Sequence, residues 1–271
     1  MPSTILITGA SSGIGRATAE YFLGRGWQVV ATMRNPETAP DLAGDAERLL
    51  CLRLDVCEPD SIPLALEQAI ARFGKIEVVV NNAGYGAVGA FEAATSAQVQ
   101  QQFDTNVFGL INVTRAVLPY FRGWGGGKLI NVSSVGGRVA FPIYSLYHAT
   151  KWAIEGFSES LQYELRSFNI QVKLIEPGAI KTDFYHRSQM VFKRDDLTEY
   201  DLYQGRVLAK IQELEASAPP PSIVAEVIYR AALDPSDRLR YSVGDGVPLL
   251  LLLRRLLPQG WFSWFIRARL S

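Results

Sequence analysis

The sequence offers little with which to build a metal centre or a disulfide framework: two cysteines, Cys51 and Cys57, and two histidines, His148 and His186, in 271 residues. The cysteines have no metal-ligand spacing, so both are expected as free, buried or semi-buried thiols in a reducing compartment, the cytoplasm. No bound metal is expected. Excess charge is missing as well, since 27 basic and 27 acidic residues cancel. With no basic cluster to compensate, a nucleic-acid partner held by bulk electrostatics is excluded. An unbroken hydrophobic run is also absent. The most apolar stretch, residues 247–266, is interrupted after seven residues by Arg254-Arg255 and then by Pro258 and Gly260, whereas a membrane span takes about 20 predominantly apolar residues. A first strand beginning at Thr4 leaves no room before it for a secretion signal.

What is present suits one large globular domain over residues 1–271. Apolar residues make up 48% and charged residues 20%, enough for a sizeable core and too apolar for disorder. Short β-branched runs predict strands near 4–8, 27–33, 49–54, 77–81, 128–133, 169–175 and 240–243. Between them, helical patterns are predicted near 13–23, 60–72, 96–121, 144–167, 199–216 and 223–233, the last two separated by Pro219-Pro-Pro221. Such alternation predicts an α/β fold: a doubly wound (Rossmann) parallel sheet of about seven strands with helices on both faces.

Chemistry concentrates at three places. Tyr147 and Lys151 lie four apart on a predicted helix and so share a face. A phenol has a pKa of about 10, and a neighbouring ammonium lowers it toward neutrality, which suits an acid and base near pH 7. A solvated helix pair is the plainer reading of these two residues alone. The run Leu129-Ile-Asn-Val-Ser-Ser134 reads as a buried strand carrying hydroxyls at its carboxyl end, where α/β sheets hold their ligands. Adjacent strand residues face opposite ways, and spacing alone leaves Ser133 and Ser134 both open. Finally, Thr4–Thr8 runs into Gly9-Ala-Ser-Ser-Gly13-Ile-Gly15 and a helical segment. Strand, glycine turn and helix together bring backbone N–H groups close to a pyrophosphate; a helix start capped by Gly and Ser is the alternative.

Together these residues resemble the short-chain dehydrogenase/reductase family, in its single-domain branch of about 250 residues. Its motifs appear as Thr8–Gly15, Asn81-Asn-Ala-Gly84, Asn106, Ser134, Tyr147 to Lys151, and Pro177-Gly-Ala-Ile-Lys-Thr182. The family's 13-residue interval before the tyrosine selects Ser134. The resemblance implies catalytic roles for Asn106, Ser134, Tyr147 and Lys151. It also implies a nicotinamide dinucleotide held by Gly9, Ser11, Ser12, Gly13, Ile14, Gly15, Arg34, Asp55, Val56, Asn82, Ala83, Gly84, Tyr147, Lys151, Pro177, Gly178, Ile180 and Thr182. In this scheme Tyr147 exchanges a proton with a substrate oxygen that Ser134 also bonds. Lys151 lowers the phenol pKa and binds the nicotinamide ribose, and Asn106 holds a water linking Lys151 to solvent. A mid-helix Asn that only satisfies nearby backbone is the alternative for Asn106, and a strand-end turn residue is the alternative for Asp55.

Cofactor choice turns on the end of the second strand, where Met33 stands at the position expected of an acid and Arg34 follows. An acid there would repel a 2′-phosphate while an Arg accommodates it, so NADP(H) is expected over NAD(H). Tyr85, Val135, Phe141, Ile143, Tyr144, Phe184 and Tyr185 form an aromatic and apolar candidate lining. The resemblance leans toward steroid and retinol dehydrogenases, hence a small lipophilic ketone, aldehyde or secondary alcohol as substrate, and a homodimer or homotetramer. Residues 184–235 are expected to shape the substrate site. For the apolar extension 247–271 three readings stand: a lid over the cleft, which is favoured, a subunit interface, or an interfacial membrane helix. A non-catalytic NADP(H)-binding redox sensor is the alternative function, although binding alone would not require the phenol.

Overall fold

The computed structural model describes residues 2–38, 42, 47–182 and 189–270. Seven parallel strands form the main sheet: β1 (Thr4–Thr8), β2 (Gln28–Met33), β3 (Leu49–Arg53), β4 (Val78–Asn81), β6 (Gly127–Val132), β7 (Ile170–Pro177) and β9 (Arg240–Val243). Their order is β3-β2-β1-β4-β6-β7-β9. The chain winds outward from β1 to β3, then returns to place β4 on the other side of β1. That reversal opens a crevice beyond the carboxyl ends of β1 and β4.

The central strands are β-branched and buried on both faces, so they read as continuous apolar runs. Alternate residues nevertheless serve different cores. Leu6, Val30, Val79, Leu129 and Val172 pack against α2 (Ser61–Phe73), α4 (Gly109–Gly123) and α5 (Ser145–Leu165). Ile5, Ile7, Val29, Val80 and Ile175 pack against α1 (Gly13–Leu23) and α7 (Ser222–Leu233). Phe22 sits at 0% exposure in the second core, where truncation to Ala would cost about 3–5 kcal/mol.

Three features depart from the sequence expectation. The helix predicted over 96–121 is divided: α3 (Ser96–Phe103), started by a Thr95–Gln98 capping box, passes into a π-helical turn at Asp104–Phe108 before α4. An extra residue per turn widens the coil at the segment that carries Asn106. Cys51 and Cys57 are exposed rather than buried: Cys51 shares with Arg53 the exposed face of β3, the outermost strand, and Cys57 lies in the turn beyond it. A second, two-stranded parallel sheet joins β5 (Gly86–Val88) to β8 (Gln189–Val191). After β8 the chain forms α6 (Asp201–Ala216), and after β9 it ends in α8 (Val247–Leu256) and α9 (Gln259–Leu270). Among the described residues no helix is long and apolar enough to cross a membrane.

Candidate active site

The turn after β1 is clamped to the turn after β4. The Thr8 hydroxyl accepts from the Asn82 and Ala83 N–H groups at 3.0 and 3.1 Å, while Asn82 Nδ2 donates to the Thr8 and Gly9 carbonyls at 3.0 and 3.1 Å. Gly9 has φ +68°, and a Cβ there would lie 2.9 Å from Ala83 Cα. At Gly15 a Cβ would overlap the Gly9 carbonyl oxygen. Both glycines are therefore obligatory: one turns the chain, the other seats α1 directly beneath the turn. The Ser12 side chain makes no capping bond to α1, leaving the positive end of the helix facing the crevice.

At the carboxyl end of β6, Ser134 is extended and opens a short 3₁₀ turn. Its Oγ accepts from Gly136 N at 3.0 Å and donates to Pro177 O at 3.4 Å. Ser133 is buried, and the Gly137 Cβ direction points at both Ser133 Oγ and the Glu155 side chain. Tyr147 and Lys151 stand one turn apart on α5, with Lys151 Nζ 5.7 Å from the Tyr147 ring centroid. Lys151 is buried and donates to Val132 O at 2.9 Å. Burial lowers its pKa to about 8, against the opposing pull of Glu155. A lysine poised there still carries its charge at neutrality yet exchanges protons readily.

Asn106 is buried and does not line the crevice. Its Oδ1 accepts from Tyr85 N at 3.0 Å and its Nδ2 donates to Tyr85 O at 2.9 Å and to Thr150 Oγ1 at 3.2 Å; Thr150 in turn donates to Tyr147 O at 2.7 Å. The residue thus ties the π-helical turn to the Tyr85 backbone and to the helix that carries Tyr147. Two of its contacts are to backbone atoms of Tyr85 and one is to the Thr150 side chain.

The short chain dehydrogenase family model matches residues 3–190, a span that contains every group just described. The chain belongs to the short chain dehydrogenase family. It is 35% identical over 270 residues to the 3-ketodihydrosphingosine reductase of Bacteroides thetaiotaomicron, covering 98% of this chain and 97% of that one. A short-chain dehydrogenase structure from Streptomyces avermitilis superposes with TM-score 0.85 at 32% identity, over 99% of this chain and 97% of that chain. A 3-ketoacyl-(acyl-carrier-protein) reductase from Brucella melitensis, solved with NADH, gives TM-score 0.74 at 25% identity over 89% and 96% of the two chains. This dehydrogenase is accordingly an oxidoreductase that takes a nicotinamide cofactor.

Its cleft encloses about 1690 Å³. Gly9, Ser11, Ser12, Gly13, Ile14, Asn82, Ala83 and Gly84 line one end, with Met33, Arg34, Asp55 and Val56 at the rim. Gly15 lies beneath rather than in the lining. Arg34 is exposed, and Asp55 Oδ1 accepts from Cys57 N at 2.9 Å, the bond of a strand-end turn. Pro177, Gly178, Ile180 and Thr182 also line the cleft. A Cβ on Gly13 would touch Thr182, and one on Gly178 would strike Val247, so the 177–182 segment is packed between the glycine turn and the start of α8.

At the substrate end, Tyr85, Val135, Phe141 and Tyr144 of the expected lining face the cleft. Ile143 does not. It adopts φ +59°, unfavourable by roughly 1–2 kcal/mol for a residue with a Cβ, and its carbonyl accepts from Gly89 N at 2.8 Å. Phe184 and Tyr185 lie outside the described residues. Apolar wall is added by Met190, Val207, Leu214, Val247, Leu250, Phe265 and Ile266.

Sequence reasoning missed two supports of this site. His148, 6% exposed, accepts from Phe141 N at 2.9 Å through Nε2 and contacts Gly136 O at 2.9 Å through Nδ1, so it is the neutral Nδ1–H tautomer. Burial lowers its pKa to about 4. Glu155 follows Lys151 by four residues on the same helix face, a spacing that was there to be read. Its Oε2 accepts from Arg240 Nε at 2.9 Å, and Arg240 also meets Glu176 at 3.4 Å.

Proposed function

We propose that this enzyme is an NADP(H)-dependent carbonyl reductase or alcohol dehydrogenase acting on a lipophilic ketone, aldehyde or secondary alcohol. The observation that carries the reading is the meeting of Ser134, Tyr147 and Lys151 in one apolar-walled cleft. The glycine cradle at the other end, with no space for a Cβ at Gly9 or Gly15, suits a close-lying pyrophosphate. When bound, the nicotinamide supplies or accepts the hydride at the substrate carbon.

The chain's own residues do the rest. Gly9 to Gly15 would hold the pyrophosphate, Asp55 and Val56 the adenine side, and Lys151 the nicotinamide ribose. Thr182 would take a phosphate or the carboxamide. Arg34, exposed in the cleft lining, would bind a 2′-phosphate with its planar fork of donors. Tyr147 gives its phenolic proton to the substrate oxygen during reduction and takes it back during oxidation. Ser134 donates a hydrogen bond to the same oxygen, and the Lys151 ammonium favours the phenolate that results.

For the substrate, the aromatic and aliphatic walls support a lipophilic compound, as does a relative whose name specifies reduction of a 3-keto group. α8 and α9 serve in this reading as apolar cover. The assembly is a homodimer or homotetramer, and the compartment is cytoplasmic, where the Cys51 and Cys57 thiols stay reduced. A panel of aliphatic, aromatic and steroidal ketones, followed by cofactor absorbance with NADPH and with NADH, tests the proposal. Turnover of a bulky apolar ketone with NADPH is expected. Cofactor binding with no turnover across the panel would favour a redox sensor instead.

A further inference from the structure

Residues 247–271 carry four arginines, Arg254, Arg255, Arg267 and Arg269, and no acidic residue. In the fold this segment has two faces. Inward, Val247, Phe262 and Ile266 are buried with Val135 and Val139, and Val247, Ile266 and Val135 form part of the cleft wall. Outward, α8 exposes Leu249, Leu252 and Leu256 at 60%, 50% and 68% of their surface, spaced three and four apart along one stripe. α9 exposes Trp261 and Trp264, at 71% and 68%, three residues apart. The two helices meet at a shallow groove lined by Leu257, Gly260, Trp261, Trp264 and Phe265.

An exposed apolar stripe of this kind marks a docking surface, and its charge chooses the occupant. Arg254 packs over the Phe262 ring and Arg269 lines the cleft, whereas Arg255 and Arg267 are exposed beside the stripe; a second copy paired face to face would bring these two arginines toward those of its partner, a repulsive arrangement for a twofold contact. An anionic lipid surface answers both features: indoles and leucines enter the interface while arginines meet headgroups. The helices, of 10 and 12 residues, lie on such a surface rather than cross it. We propose that the outer face of α8 and α9 docks this enzyme on anionic bilayers. Behind that face the cleft is loaded with lipophilic substrate from the membrane, a second step that rests on the function proposed above.

The test uses the full chain and vesicles of phosphatidylcholine containing about one-third phosphatidylglycerol, read by co-sedimentation. Binding is expected to weaken by at least about tenfold on pure phosphatidylcholine or in about 1 M salt. The double variant Trp261→Glu/Trp264→Glu should lose binding by a similar factor and still turn over a small water-soluble ketone. Should that variant not fold, acyl-chain-brominated lipids provide a second measurement, since they should quench the tryptophan fluorescence of the unmodified protein. Absence of sedimentation with anionic vesicles, or sedimentation without quenching, would overturn the proposal. Self-association abolished by the tryptophan changes, with no vesicle binding, would assign the face to a second copy. Vesicle binding is read without turnover, so its failure is distinct from failure of the proposed reaction.

Discussion

Glu155 lies one helical turn beyond Lys151 on α5, and burial drives the two groups in opposite directions: the lysine pKa down to about 8, the carboxyl up. The Glu155 charge offsets part of the lysine's cost by raising the Lys151 pKa, while Ser133 and Arg240 offset part of the carboxylate's. Carbonyl reduction, which needs the ammonium, should fall as pH rises through about 8. Glu155→Gln removes the countercharge, so the fall should move to lower pH. The pH profile of kcat/KM measures this, and an unmoved alkaline limb would show that Glu155 does not act on Lys151.

Tyr147→Phe deletes the proton donor and leaves the ring. Turnover should drop at least about a hundredfold, the scale of general acid catalysis, with cofactor affinity nearly intact. Lys151→Ala should damage turnover and cofactor binding together. Near-normal turnover by the Tyr147→Phe protein would refute the mechanism.

Arg34 predicts a preference for NADPH, and Arg34→Asp should abolish most of it by placing a negative charge where the 2′-phosphate would bind. The ratio of kcat/KM values for the two cofactors is the measurement. Equal efficiencies in the unmodified enzyme would reject the assignment.

His148 makes stability depend on pH. Its folded pKa of about 4 lies below the ordinary 6.5, so the unfolded chain binds the proton more readily. The stabilisation is fully present above pH 6.5 and is lost as pH falls toward 4, an effect of up to about 3 kcal/mol. His148→Gln, compared by urea denaturation between pH 7 and 4, should show a flatter dependence than the unmodified protein. Parallel curves would place the titration elsewhere.

Where the sequence spoke plainly, several kinds of signal agreed. β1 is expected and found at Thr4–Thr8 because a β-branched run ends at a glycine turn. α2, expected near 60–72, runs over Ser61–Phe73, where an apolar face, an Asp-Ser start and a glycine stop coincide. The features that escaped depend on what lies across space. β5 and β8 have three residues each, too few to show a period of two. The π-helical turn leaves no mark in an apolar pattern tuned to 3.6 residues. Cys51 was misplaced because a run of apolar residues does not reveal that its strand lies at the sheet edge. The opposite exposures of Phe262, buried, and Trp261, exposed, are set by Val135 and Val139, more than a hundred residues away in the chain.

The pairing of β5 with β8 also bears on how the enzyme folds. Gly86 is matched to Gln189 across roughly a hundred residues of intervening chain, and only three pairs of residues reward the closure of that loop. The main sheet brings the two ends near each other at no further entropic cost, so it must form before this small sheet has any stability. The pairing of β5 with β8 is therefore expected to follow formation of the main sheet. With so few bonds holding it, this small sheet is also expected to open at a lower free energy than the main sheet, which amide hydrogen exchange would read.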